Sequence, residues 1–200
     1  DSFLDMTLPE FIHQVPAFNT PLETFLHINR EVRKENRAAV AALATNSSSE
    51  PQWEGSFLRQ PRSAPQGLFA DHRTYFYKGK EIDRTVHLGH DSASTAQAEV
   101  LAANTGKVIF SDFLGIYGLC IVIDHGIGIQ TLYAHLSHSQ VEVGQQVNRG
   151  DVIARSGVTG LAGGDHLHFE VLVNGIPVQP VEWWDANWMN NNIDSKLQPE

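Results

Sequence analysis

Apolar residues recur in short runs between residues 99 and 173, and glycine-bearing turns separate the runs. Runs of this kind predict β-strands over residues 99–103, 107–111, 119–124, 129–135, 140–143, 151–156 and 166–173. Their even spacing predicts a compact antiparallel sheet or sandwich, with function carried on loops and strand ends at one side. The first fifty residues follow another period. Thr20-Pro21-Leu22-Glu23 reads as a helix start, with Thr20 as cap, Pro21 at the first helical position and Glu23 completing a capping box. From there to Ala44 no residue breaks a helix. Leu22, Phe25, Leu26, Val32, Val40 and Leu43 supply an apolar stripe to pack on the domain, while residues 30–37 form a largely charged, solvated face.

The predicted organisation is therefore mainly β with an N-terminal α-helical segment. Residues 1–50 hold the helix and a linker that ends in Asn46-Ser47-Ser48-Ser49-Glu50-Pro51, residues 51–185 form the β domain, and residues 186–200 form a C-terminal tail. The Asn-rich and then charged last dozen residues are expected to fray. Trp183, Trp184 and Trp188 are expected to pack back onto the domain rather than to form a ligand platform.

Composition narrows the function classes. A net charge of −9 and a predicted pI near 5.5 argue against a nucleic-acid partner, which calls for a basic face. Cys120 is the single cysteine, so neither an internal disulfide nor a cysteine-based metal site is available. It lies in the apolar run Leu119-Cys120-Ile121-Val122-Ile123 and is expected to be a buried, inert thiol. There is no long apolar run of the kind that spans a membrane and no basic-then-apolar leader. The chain opens on Asp1, which leaves room for an upstream leader, membrane anchor or regulatory domain.

Histidines carry the chemistry. His166-Leu167-His168 places two imidazoles on one side of an extended strand. His87-Leu88-Gly89-His90-Asp91 gives His87 and Asp91 the same parity, with no bulk at Gly89 between them. Two neutral nitrogens from His87 and His168 with the hard anionic oxygen of Asp91 suit Zn²⁺, and three protein ligands leave a coordination position open for water. His166 can bind metal as well, or take a proton from that water or hydrogen-bond an oxyanion. His135 is a candidate for the same supporting work, and Glu170, which shares the parity of His168, is a minor alternative ligand. His90 points away from His87 and Asp91 if the segment is extended. His125 is expected to bond backbone at a turn, and His13, His27, His72 and His138 to lie at the surface.

From Phe69 to Trp184 the chain resembles the lysostaphin/LytM-type zinc metallopeptidases, which cut peptide bonds in bacterial peptidoglycan. The resemblance is carried by His87-Leu88-Gly89-His90-Asp91, by residues 118–126 (Gly-Leu-Cys-Ile-Val-Ile-Asp-His-Gly) and by Leu132-Tyr133-Ala134-His135-Leu136-Ser137. It continues through the turn region from Val143-Gly144 to Gly150-Asp151, Gly157-Val158-Thr159-Gly160 and His166-Leu167-His168-Phe169-Glu170. It implies an antiparallel β-sheet groove with one Zn²⁺ on its floor, His87, Asp91 and His168 as ligands, and His135 and His166 as catalytic histidines. A tyrosine upstream of the first ligand often supports the transition state in that family, and Tyr75 and Tyr77 are the two available. The region from Phe18 to Pro65 lies outside the shared domain and resembles the variable segments that precede it in exported proteins, some of which block the groove.

The expected function is a zinc-dependent endopeptidase acting on peptidoglycan peptide stems and cross-links. A D,D cross-link is favoured because the flanking sequence and the Trp-rich end resemble proteobacterial members. The implied location is the periplasm or cell envelope of a bacterium. The competing expectation is a catalytically silent cell-wall-binding domain that activates a peptidoglycan amidase. With all five site positions filled, the enzyme is preferred.

Overall fold

Strands Leu119–Gly126, Ile129–Ser139 and Leu167–Val173 form the centre of the molecule, and their side chains alternate between two buried faces. One face carries Ile121, Ile123, Tyr133, Phe169 and Val171 against Trp53, Phe57, Trp183 and Met189. The other carries Cys120, Val122, Leu132, Ala134 and Leu172 against Phe11, Ile28, Val32 and Val40 of the N-terminal segment. A sheet covered on both faces reads as near-continuous apolar sequence, which is how these three strands stand out.

The computed structural model describes residues 2–197. In chain order its strands are β1 (Ala64–Gly67), β2 (His72–Tyr77), β3 (Lys80–Val86), β4 (His90–Ala93), β5 (Glu99–Leu101) and β6 (Gly106–Phe113). They continue with β7 (Leu119–Gly126), β8 (Ile129–Ser139), β9 (Gln146–Val147), β10 (Val152–Ser156), β11 (Leu167–Val173) and β12 (Ile176–Val178). The main sheet runs β1-β4-β11-β8-β7-β6-β9, with β10 beside β8 and β5, and β12 beside β11. Its pairings are antiparallel. Strands β2 and β3 form a separate hairpin.

The predicted strand over 140–143 does not form. β8 continues to Ser139, and the Ser139 hydroxyl then bonds the backbone of Val141, turning the chain out of the ladder. The apolar pattern along the chain does not announce the β2–β3 hairpin, because its strands are largely exposed and lack an apolar face. Its turn does carry a signal: Lys78 and Gly79 both take positive φ, 49° and 77°, as a two-residue hairpin turn requires.

At the N-terminus, α1 (Ser2–Thr7) precedes α2 (Pro21–His27), a π-helical stretch over Ile28–Val32, and α3 (Arg33–Leu43). The capping box at Thr20 and Glu23 is present in both directions. The apolar stripe is buried as expected. Phe11 and Ile28 are fully enclosed and Val40 nearly so, each worth about 1.5–3 kcal/mol. Polar anchors fix the helices further: Ile116 N–H donates to Asn36 Oδ1 at 2.8 Å, and Gly160 N–H donates to Glu10 Oε2 at 2.8 Å.

Of the last dozen residues, expected to fray, those described are helical through Leu197. Met189 is buried, Ile193 packs on the core, and Trp53 Nε1 donates to Asp194 Oδ1 at 3.3 Å. No helix among the described residues is long and apolar enough to cross a membrane.

Candidate functional site

Antiparallel register brings the two histidine clusters together. β4 lies against β11 with Asp91 opposite His168 and His90 opposite Phe169. Asp91 and His168 therefore leave the sheet on the same face, and His87, just ahead of β4, folds over them. His87 Nε2 lies 3.0 Å from Asp91 Oδ1 and 3.0 Å from His168 Nδ1, and His168 Nδ1 lies 2.8 Å from Asp91 Oδ1. All three residues are buried. Glycine makes this closeness sterically accessible: a Cβ at Gly89 would stand 2.6 Å from Cε1 of His168, and one at Gly67 would stand 2.6 Å from Asp91 Oδ2.

Outer partners orient these donors. His87 Nδ1–H donates to the Leu68 carbonyl at 2.8 Å, which leaves Nε2 to face inward. His168 Nε2–H donates to Glu170 Oε1 at 2.9 Å, which leaves Nδ1 inward. Asp91 Oδ2 accepts from Arg73 at 2.8 Å, which leaves Oδ1 inward. Burial disfavours the Asp91 charge, but hydrogen bonds from His168 and His87 more than offset it and hold the carboxyl well below the usual range.

The three inward atoms make a donor set for a divalent cation. Tetrahedral bonds of about 2.0–2.1 Å place neighbouring donors about 3.3 Å apart, close to the 2.8–3.0 Å triangle found here. Two imidazole nitrogens and one carboxylate oxygen, each with its other side engaged, fit Zn²⁺. Glu170 stands behind His168 and accepts from the Tyr117 hydroxyl at 3.0 Å, so it supports a donor rather than joining the triangle.

His135 and His166 flank this triangle. Their ring centroids are 4.8 Å apart, and His166 Nε2 lies 3.6 Å from Asp91 Oδ1. The position of His135 depends on a bulge. Leu119 and Ile121 of β7 pair with Leu136 and Tyr133 of β8, so β8 carries one extra residue there, and His135 adopts a left-handed φ of 60°. A bulge re-aims a side chain that strict alternation would misplace. A non-glycine residue at that φ is strained, which is common where a site demands it. His135 Nδ1–H donates to Thr159 O, and His166 Nδ1–H to Gly164 O, leaving both Nε2 atoms free to accept. Burial, with the neighbouring His166 and His168 charges, pushes the His135 pKa well below its ordinary value. It is neutral near pH 7.

The cavity in front has a volume of about 370 Å³ and is lined by all five of these residues. Tyr75 lines it and Tyr77 does not; Tyr117 lines it as well. Sequence reasoning missed Arg33, Arg37 and Arg73, which also line the cavity but are far from the histidine motifs in the chain. His90 lies outside, edge-on to Trp184 at 5.0 Å. His125 bonds backbone at Thr105, as expected, but lies completely buried within β7 rather than at a turn. Cys120 is buried, and burial pushes its thiol up, so the thiolate is not available.

The sequence model of Peptidase family M23 matches residues 85–180. The DD-carboxypeptidase/endopeptidase Mpg of Neisseria meningitidis is 43% identical over 97 residues, 48% of this chain and 22% of that protein. The murein hydrolase activator EnvC of Escherichia coli is 41% identical over 85 residues, 42% of this chain and 20% of that protein. Among solved structures, a zinc-containing peptidase from Vibrio cholerae has a TM-score of 0.56 at 33% identity, over 64% of this chain and 40% of that one. The chain thus spans about a fifth of the length of the curated relatives it matches.

Proposed function

From the match of residues 85–180 to Peptidase family M23, we propose that the chain is a zinc-dependent endopeptidase that hydrolyses D,D peptide cross-links of peptidoglycan in the bacterial cell envelope. The observation that carries this reading is the triangle of His87 Nε2, Asp91 Oδ1 and His168 Nδ1 beside two histidines whose Nε2 atoms accept. In it His87, Asp91 and His168 would hold one zinc ion. When bound, zinc supplies Lewis acidity toward the scissile carbonyl and a water whose pKa falls to about 7.

The remaining steps belong to the side chains. His135, neutral and fixed by Thr159, accepts a proton from the attacking water at Nε2 and delivers it to the leaving amine. His166, fixed by Gly164, accepts a hydrogen bond from the water at Nε2 and orients it for attack. Asp91, held by Arg73, keeps its negative charge throughout.

Digestion of purified sacculi followed by mass spectrometry of the released muropeptides tests this. Soluble products cut between two D-centres are expected, and an intact sacculus after treatment with the zinc-loaded chain would refute it. An amidase-activating module, the alternative that the EnvC similarity keeps in view, releases nothing by itself.

A further inference from the structure

Three arginines line the cavity that holds the His/Asp/His triangle. Arg33 and Arg37 lie one turn apart on α3, and Arg73 comes from β2. All three lie outside residues 85–180, so the family match assigns them nothing. Their partners are unequal. Arg73 pairs with Asp91 at 2.8 Å. Arg37 stands 3.9 Å from Glu170 and donates to the Tyr117 hydroxyl at 3.4 Å. Among the described residues Arg33 meets only neutral oxygens, the Asn29 carbonyl at 3.1 Å and Asn29 Oδ1 at 2.7 Å.

Charge is out of balance in this cavity. Its two lining carboxylates, Asp91 and Glu170, already serve His87 and His168, while three guanidiniums line the same cavity. Burial lowers the Arg33 pKa; the neighbouring Tyr75 and Tyr117 hydroxyls oppose this, and the charges of Arg37 and Arg73 add to it. A half-buried cation without an acid beside two like charges is unfavourable unless an anion joins it. Like charges one helical turn apart repel in the same sense. The α3 helix cannot turn the arginines aside, because Val32, Asn36 and Val40 anchor it in the core and to Ile116. A planar guanidinium fork matches a carboxylate.

We propose that Arg33, with Arg37 and Arg73 beside it, forms a subsite for the free carboxylate on the residue that carries the leaving amine of the peptide substrate. The proposal rests on the peptidase reading above and specifies its substrate class. A bond between two D-centres whose second residue keeps its α-carboxylate presents that anion one carbon from the leaving nitrogen, inside the same cavity as the reacting carbonyl. The N-terminal helix thereby becomes part of the substrate site.

The test uses the zinc-loaded full chain and two probes, N-acetyl-D-Ala-D-Ala and its C-terminal carboxamide, with binding measured calorimetrically. The acid is expected to bind about tenfold or more tighter than the amide. Arg33→Met and Arg37→Met are expected to erase most of that preference with unchanged zinc content, and Arg33→Lys to restore part of it. Equal binding of the two probes by the wild type overturns the subsite. So does a preference that survives both methionine variants, since the carboxylate would then be bound by the metal. If Arg33→Met fails to fold, the probe comparison with Arg37→Met decides. Muropeptide release is scored separately: an acid preference without release sinks the endopeptidase reading and leaves the subsite, and release without acid preference does the reverse.

Discussion

His168 gives its Nε2 hydrogen to Glu170, 2.9 Å away, and so keeps Nδ1 turned toward Asp91. The two residues are one strand-period apart on β11, and Glu170 is almost completely buried. Removing such a partner typically weakens metal affinity 10–100-fold. Glu170→Ala is therefore expected to raise the zinc dissociation constant by about one to two orders of magnitude, as read by competition with a chromophoric chelator. Unchanged affinity would mean that His168 needs no orienting carboxylate.

Ligand and proton-transfer roles separate by substitution. His87→Ala and Asp91→Ala each remove one corner of the triangle, so bound zinc, expected near one per chain in the wild type, should vanish. His135→Ala is expected to keep its zinc and to lose about 10²–10⁴-fold in activity on sacculi. Full activity in that variant would move the proton-transfer role elsewhere.

Gly89→Ala tests how tightly the triangle is packed. The new methyl would meet Cε1 of His168 at 2.6 Å and the Phe169 carbonyl at 2.7 Å, and the backbone cannot yield cheaply. A loss of about 1–3 kcal/mol in unfolding free energy is expected from the overpacking, with zinc content well below that of the wild type. A variant with wild-type zinc content would show that the ring has room to move.

His125 predicts a pH dependence. It is completely buried, donates to Thr105 O and lies 2.8 Å from the Thr131 hydroxyl, and burial lowers its pKa to about 4 from 6.5. The unfolded chain therefore takes up a proton that the fold refuses. This contribution to stability is fully present above pH 6.5 and is lost as pH falls toward about 4, about 3 kcal/mol in all. Urea midpoints of the metal-free protein should fall across that window, and His125→Gln should flatten the slope. Parallel curves for the two proteins would show that other groups control the acid limb.

The sequence exposes those features that depend on local period. The capping box at Thr20, the buried strands 119–124 and 129–135, and the shared side of His166 and His168 follow from alternation and capping chemistry, and the fold contains them. Features set by register between distant segments escape it. Alternation alone does not aim His135 into the cavity; an extra residue in β8 opposite Leu119 and Ile121 does. Glu170 shares the parity of His168, so parity alone does not separate a ligand from an orienting partner; the 2.9 Å contact to Nε2 does. The arginine wall comes from a helix and a hairpin with no motif of their own, and only tertiary packing assembles it.

Phe11, Ile28, Val32 and Val40 lie in one core with Val122, Leu132 and Leu172. Trimming the protein to the family-matched stretch would leave an oily flank bare to water, inviting self-association. Anyone grafting this domain onto another scaffold should carry the stretch through Leu43 along with it.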